Sequence, residues 1–161
     1  MLSLETKLPL RVAMEARDRA AALDAFAKDA VLRSPFTDNL TFTGHEQLDP
    51  LIAVILDVLE DLTYTDELRA ENTAVLVGHA SVDGLRLQFS DHLRIRDDGL
   101  IAEMTVFFRP LPATTAAMRR FGEELGSQQS RLRGRVIKAM AAPLMVMART
   151  GDRAGVWLLR Q

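Results

Sequence analysis

The sequence predicts an α+β fold: N-terminal helices packed in a curved, mainly antiparallel sheet, with a helical extension at the C-terminal end. Three observations predict it. Stretches 62–69, 73–82, 85–96 and 100–109 alternate apolar and polar residues with period two, the signature of half-buried strands. Asp83-Gly84 and Asp97-Asp98-Gly99 lie between them and read as hairpin turns, which need positive φ at their central positions. Strands joined so closely pair antiparallel, because parallel neighbours need a long crossover. Helical periodicity, finally, is confined to the segments before and after this run.

Residues 9–29 read as helix, with Pro9 in the tolerated first turn and Leu10, Val12, Met14, Leu23 and Phe26 supplying its apolar stripe. The polar stretch 15–19 allows a bend that splits it in two. Residues 30–33 read as a short strand stopped by Ser34-Pro35, since the residue before a proline favours extended geometry. Residues 40–43 read as another. In 44–60, Leu48, Leu51, Ile52, Ile55, Leu56 and Leu59 recur at i, i+3, i+4, i+7 spacing, so one side of this helix must be buried. Thr43 and Glu46 fit a capping box, and the depth of Pro50 allows a start nearer Asp49. Pro110 and Pro112 end the sheet; 114–125 reads as a helix closed by Gly126, and 131–142 as a helix ended by Pro143. Trp157, in the short apolar end 156–159, is expected to staple the tail to the body. The expected division is a roll at 1–126 and a helical extension at 127–161, packed on the same domain or on a partner subunit.

A chain of 161 residues suits one domain, and such a domain buries roughly 70% of the surface its unfolded chain exposes. Hydrophobic residues at 48% and charged residues at 26% are ordinary globular values and argue against disorder. No cysteine is present, so neither disulfides nor zinc–thiolate sites can form, and three scattered histidines (His45, His79, His92) argue against a metal site. No cofactor is expected. The N-terminus lacks a signal-like apolar run, and no stretch is long enough to span a membrane, so a cytoplasmic location is expected. Charge is unevenly spread: residues 1–118 carry 11 Lys/Arg against 19 Asp/Glu, and residues 119–161 carry 9 against 3. Without interleaved aromatics the basic end does not read as a nucleic-acid tail, and docking on an acidic surface of its own fold or of a partner is the expected role. A membrane-surface role for 131–153, through Leu132, Val136, Ile137, Met140 and Leu144, is the less favoured alternative.

Residues 85–96 carry the functional signal. Leu85, Leu87, Phe89, Asp91, Leu93 and Ile95 share one face; Arg86, Gln88, Ser90, His92, Arg94 and Arg96 share the other. Asp91 is therefore the one charged residue on an apolar face. A carboxylate placed there is neutral, paired, or beside a cavity, because burying a bare charge is prohibitive. Desolvation raises its pKa, and an acid protonated near neutrality can donate a hydrogen bond or a proton. The alternative is a structural Asp satisfied by an inward Arg, such as Arg33, by a Tyr or by a backbone amide. On the next strand Met104, Val106 and Phe108 are expected to line the same cavity, while Phe107 faces out and suits a homodimer interface. Tyr64, the only tyrosine, could donate into the pocket. His79 shares a face with Val75 and Val77 and either reaches the cavity or packs; His92 points away from Asp91, and His45 is expected at the surface.

The order helix, short strand, Ser34-Pro35, Phe42-Thr43-Gly44, helix, long strands resembles the nuclear transport factor 2-like superfamily. The densest match is Asp91-His92-Leu93-Arg94-Ile95 followed by Asp97 to Pro110, which is similar to SnoaL-like proteins of bacteria. The resemblance covers roughly residues 9–125, and implies a cone-shaped, cystatin-like roll around a helix, an apolar cavity and a homodimer. Asp91 matches the buried protonated Asp that donates to the substrate oxyanion in ketosteroid isomerases. Where that family places its base, before the proline, this chain has Ser34; where it places a tyrosine, on the first helix, it has Leu10. A steroid-type proton shuttle is therefore not expected, and the second inward carboxylate of the epoxide-hydrolase branch is missing. A lyase, isomerase or cyclase of SnoaL-like type, with Asp91 as general acid/base and Tyr64 and His79 as secondary candidates, is implied. The alternative is a non-catalytic module for a hydrophobic ligand or for dimerisation. The pocket is expected to comprise Leu10, Met14, Ser34, Phe36, Leu56, Leu87, Phe89, Leu93, Met104, Val106 and Phe108, and to take a small apolar molecule. Neither nucleic acid nor a membrane is an expected partner.

Overall fold

In the computed structural model, which describes residues 6–129, 146–148, 150 and 151, the N-terminal helical segment is broken where its polar stretch allows. Helix α1 (Pro9–Glu15) ends as Arg17 takes a φ of 57°, and α2 (Arg19–Asp24) starts afresh with Asp18 accepting from the Ala21 N–H. The expected helix to residue 29 is corrected: strand β1 already begins at Phe26 and runs to Arg33. Its register against β6 slips between Phe26 and Val31, leaving Lys28 and Asp29 both exposed. That slip erases the period-two pattern and imitates a helical one.

After the three-residue strand β2 (Thr41–Thr43), helix α3 (His45–Val58) begins earlier than Pro50 would suggest. Its N-cap is Gly44, not the expected Thr43; the backbone there has φ 74°, and its N–H donates to Ala30 O at 2.8 Å. A Cβ would sit 3.2 Å from Lys28 O, so both the dihedral and the close approach to β1 favour glycine. Gln47, rather than Glu46, reaches back to the Thr43 N–H.

Strands β3 (Glu60–Ala70), β4 (Thr73–Val82), β5 (Leu85–Ile95) and β6 (Ile101–Arg109) form the antiparallel meander, and β6 also pairs parallel with β1. The curled six-stranded sheet has the order β2-β1-β6-β5-β4-β3. Two register slips in β3, between Glu60 and Thr63 and between Tyr64 and Asp66, sharpen its bend on either side of Tyr64. Helix α4 (Leu111–Gln129) starts three residues before the expected Thr114 and runs on through the buried Gly126 instead of stopping there. Pro112 lies in its first turn, where no intrahelical N–H is needed. The extension expected over 131–142 and 156–159, with Trp157, lies outside the described residues. No helix among the described residues is long and apolar enough to cross a membrane.

The inner sheet face and the helices bury one core. On β4 the alternation is complete: Ala74, Leu76, Gly78, Ala80 and Val82 face in, while Val75, Val77 and His79 lie on the half-buried outer face. Leu87 and Leu93 on β5 are fully buried. Leu87→Ala is expected to lower unfolding free energy by about 2–5 kcal/mol, since a cavity replaces a close-packed side chain; urea denaturation measures this.

Candidate functional site

The register of β5 is unbroken against β4 through Asp91, which lies between Leu76 on β4 and Val106 on β6. Alternation therefore turns its side chain inward, and it is 3% exposed. Tyr64, equally buried, stands two strands away, roughly 9–10 Å at ordinary strand spacing. The gap is bridged because the residue between them has no side chain. Tyr64 pairs with Gly78, and Gly78 with Phe89. The Phe89 ring lies over Gly78 and meets the Tyr64 ring edge-on, centroids 5.2 Å apart and planes at 89°. The phenol then crosses β4, and its O–H donates to Asp91 Oδ2 at 3.3 Å.

Burial pushes the Asp91 carboxyl up to about 7, against the opposing effect of the Tyr64 hydrogen bond. Burial, and then the neighbouring Asp91 charge, push the Tyr64 phenol well above its usual value, so it stays a donor. The carboxyl can thus hold or release a proton near neutrality, with a fixed donor on one oxygen.

Beside it opens a cavity of about 320 Å³. Leu10 and Met14 of α1, Leu51, Ile52 and Ile55 of α3, and Met104, Val106 and Phe108 of β6 form its walls with Phe89. Phe36 closes one side, packed edge-on against Phe108 (5.6 Å) and tilted against Phe121 (5.9 Å). Asp91 is the one charged residue among the described lining residues; Ser34, Thr37 and Tyr64 are the other polar side chains. Both Ser34 and Thr37 accept a backbone N–H two residues on, so these hydroxyls shape the 34–40 turn while their protons stay free to donate.

Three residues expected in the pocket do not line it. Leu56, one turn beyond Ile52 on α3, is buried but does not reach the cavity, and Leu87 and Leu93 share Asp91's face but are covered by packed side chains. His79 is corrected as well: it faces outward with Val75 and Val77, and does not line the cavity. His92 also lies on the outer face, and His45 Nε2 makes a 2.9 Å hydrogen bond with Phe26 O. Arg33 pairs with Glu103 at 3.5 Å rather than with Asp91. Phe107 projects outward and is exposed. Among the described residues no three metal-ligating side chains converge. Helix α4 supplies a wall that was not anticipated, through Met118, Phe121, Gly122 and Leu125; their helical spacing of three and four is the signal that marks it.

No known family model matches the chain, and no curated protein matches it in sequence. Solved structures do. A steroid delta-isomerase from Pseudomonas aeruginosa aligns with a TM-score of 0.69 and 26% identity, covering 80% of this chain and 99% of that one. An NTF-2 like protein of unknown function from Burkholderia xenovorans aligns at TM-score 0.56 and 18% identity, over 62% of this chain and 77% of that one. A protein assigned as a SnoaL-like polyketide cyclase, from Shewanella denitrificans, aligns at TM-score 0.53 and 11% identity, over 63% and 86%. By the order of its elements, the curl of its sheet and these structural neighbours, the chain carries the fold of the nuclear transport factor 2-like superfamily.

Proposed function

We propose that the protein binds a small apolar carbonyl compound and moves a proton on it, with Asp91 as general acid/base and Tyr64 as its hydrogen-bonding partner. The observation that carries this reading is the single ionisable carboxyl in an apolar cavity, held near neutral pKa by burial. As carboxylate, Asp91 takes a proton from a carbon next to the carbonyl; the C–H electron pair passes into the carbon–carbon bond and the carbonyl electrons onto oxygen. Returning the proton to the far carbon of a conjugated enolate isomerises the ligand. In a cyclisation the enolate carbon instead bonds to a second carbonyl carbon of the ligand, whose oxygen takes the proton. Either course is balanced, with no net gain or loss. One carboxyl suffices for both transfers, so Ser34 and Leu10 are compatible with it. A binding-only module is the second reading, and the absence of a second acid or base among the described lining residues favours it.

Deuterium uptake next to the carbonyl of small cyclic ketones, followed by proton NMR in heavy water, separates the two. Exchange by the wild type, reduced by about 10²–10⁴-fold in Asp91→Asn, is expected from the usual worth of a general base. Ketones that bind without exchange, with Asp91→Asn binding them equally well, favour the second reading.

A further inference from the structure

Strand β3 ends the sheet, so the outward N–H and C=O of Tyr64 have no strand to pair with. Both are taken by one helix. The Tyr64 N–H donates to Glu15 Oε1 at 3.0 Å, and Arg11 Nη2 donates to Tyr64 O at 2.8 Å. The clip is closed by charge. Arg11 lies 3.5 Å from Glu15 and 3.6 Å from Glu67, and Glu67 accepts the Leu8 N–H at 3.1 Å. The three side chains are only 14%, 24% and 11% exposed, so water screens the cluster weakly. Arg11 Nε is buried without a hydrogen bond, so its contact with Glu15 is electrostatic. On its inner side β3 gives Tyr64 little support, because the ladder slips both before and after it.

We propose that Glu15 and Arg11 are positioning residues for the candidate site, fixing the Tyr64 main chain so that its phenol reaches Asp91. The inference rests on the proposed role of Asp91 and adds what holds its partner in place. The phenol–carboxyl distance of 3.3 Å is longer than the 2.7–2.8 Å usual for such bonds, so a small displacement of Tyr64 breaks it. Helix α1 also presents Leu10 and Met14 to the cavity, which puts the clip and a ligand-contacting wall on one element. The charged and titratable groups that act on Tyr64 are Asp91 from β5 and Arg11 and Glu15 from α1. Around the clip itself stand Lys7, 3.5 Å from Glu15, and Glu67 with its partner Arg69 on β3, while the described lining residues of α3, α4, β1, β2 and β6 carry no charge.

The test titrates the Asp91 carboxyl by carbon-13 NMR in the full chain. Tyr64→Phe removes a bond to the charged form and is expected to raise the midpoint by about one pH unit, the lower end for such a bond. Glu15→Ala is expected to raise it by at least half as much, although losing a nearby negative charge would by itself lower it. Glu15→Gln, which keeps the acceptor oxygen and loses only the charge, should leave the midpoint at or slightly below that of wild type. The Glu15→Ala/Tyr64→Phe double variant should titrate like Tyr64→Phe alone. An unmoved midpoint in Glu15→Ala, or a further rise in the double variant, overturns the proposal. Should Glu15→Ala not fold, Arg11→Met in wild-type and Tyr64→Phe backgrounds gives the same decision, since action through Tyr64 vanishes in the second. Ketone exchange decides the role of Asp91 and the midpoint decides the clip, so each can fail alone.

Discussion

Asp91→Asn is expected to remove proton exchange and, in the same molecule, to make the fold harder to melt above neutral pH. Unfolded, the carboxyl titrates near its ordinary 3.8; folded, burial holds its proton up to about 7. Between those values the native state binds more protons than the unfolded state, so stability falls as pH rises from about 4 to about 7 and is level beyond. Three pKa units correspond to at most about 4 kcal/mol. Asparagine never ionises and keeps an oxygen for the Tyr64 O–H, but its amide protons need partners in the cavity, which offsets about 1–3 kcal/mol. The net expectation is a variant about 1–3 kcal/mol less stable than wild type at about pH 4, where only the amide penalty remains, and about 1–3 kcal/mol more stable at about pH 8, or roughly 2–12 °C in melting temperature each way. Melting curves at both pH values check it. An advantage that shrinks as pH rises would mean that Asp91 is not desolvated in the native state.

Gly78→Ala is expected to damage both stability and the site. Backbone propensity alone favours alanine in a strand by roughly 0.5–1 kcal/mol. Sterics oppose it and win. A Cβ at residue 78 would stand 2.5 Å from Phe89 Cζ and 2.5 Å from Thr63 O, and the second of these is backbone that cannot rotate away. Overpacking of this kind costs about 1–3 kcal/mol. Because Phe89 must leave its place against Tyr64, the phenol is expected to lose Asp91, raising the carboxyl's midpoint toward that of Tyr64→Phe. Urea denaturation and the Asp91 titration measure the two effects. A variant at least as stable as wild type, with an unchanged midpoint, would show that the cleft over Gly78 has no role.

The inward face of Asp91 is readable from sequence because β5 pairs without interruption from Leu85 to Arg94, and unbroken pairing preserves parity. The same reasoning fails at Tyr64, where a slip on each side removes any fixed parity to count from. It fails again in β1, whose bulge puts two exposed residues in succession and reads as helix. The partnership of Tyr64 with Asp91 spans two strands across a glycine, a relation between residues 64, 78, 89 and 91 that no local pattern encodes. Local periodicity shows which residues are buried, not which of them meet a void: Leu87 and Leu93 share the face of Phe89 yet lie in solid core. In α4 the stripe Met118, Phe121 and Leu125 signals a buried face, but only the folded chain shows that this face meets the cavity.

The central claim is that Asp91 keeps its proton near neutrality inside an apolar cavity. Infrared difference spectra of the protein, recorded between about pH 5 and pH 9 and compared with Asp91→Asn, test it most directly. The account predicts a protonated-carboxyl band assignable to Asp91 that disappears with a midpoint near 7. A band already lost by about pH 4, the behaviour of a solvated aspartate, would contradict it.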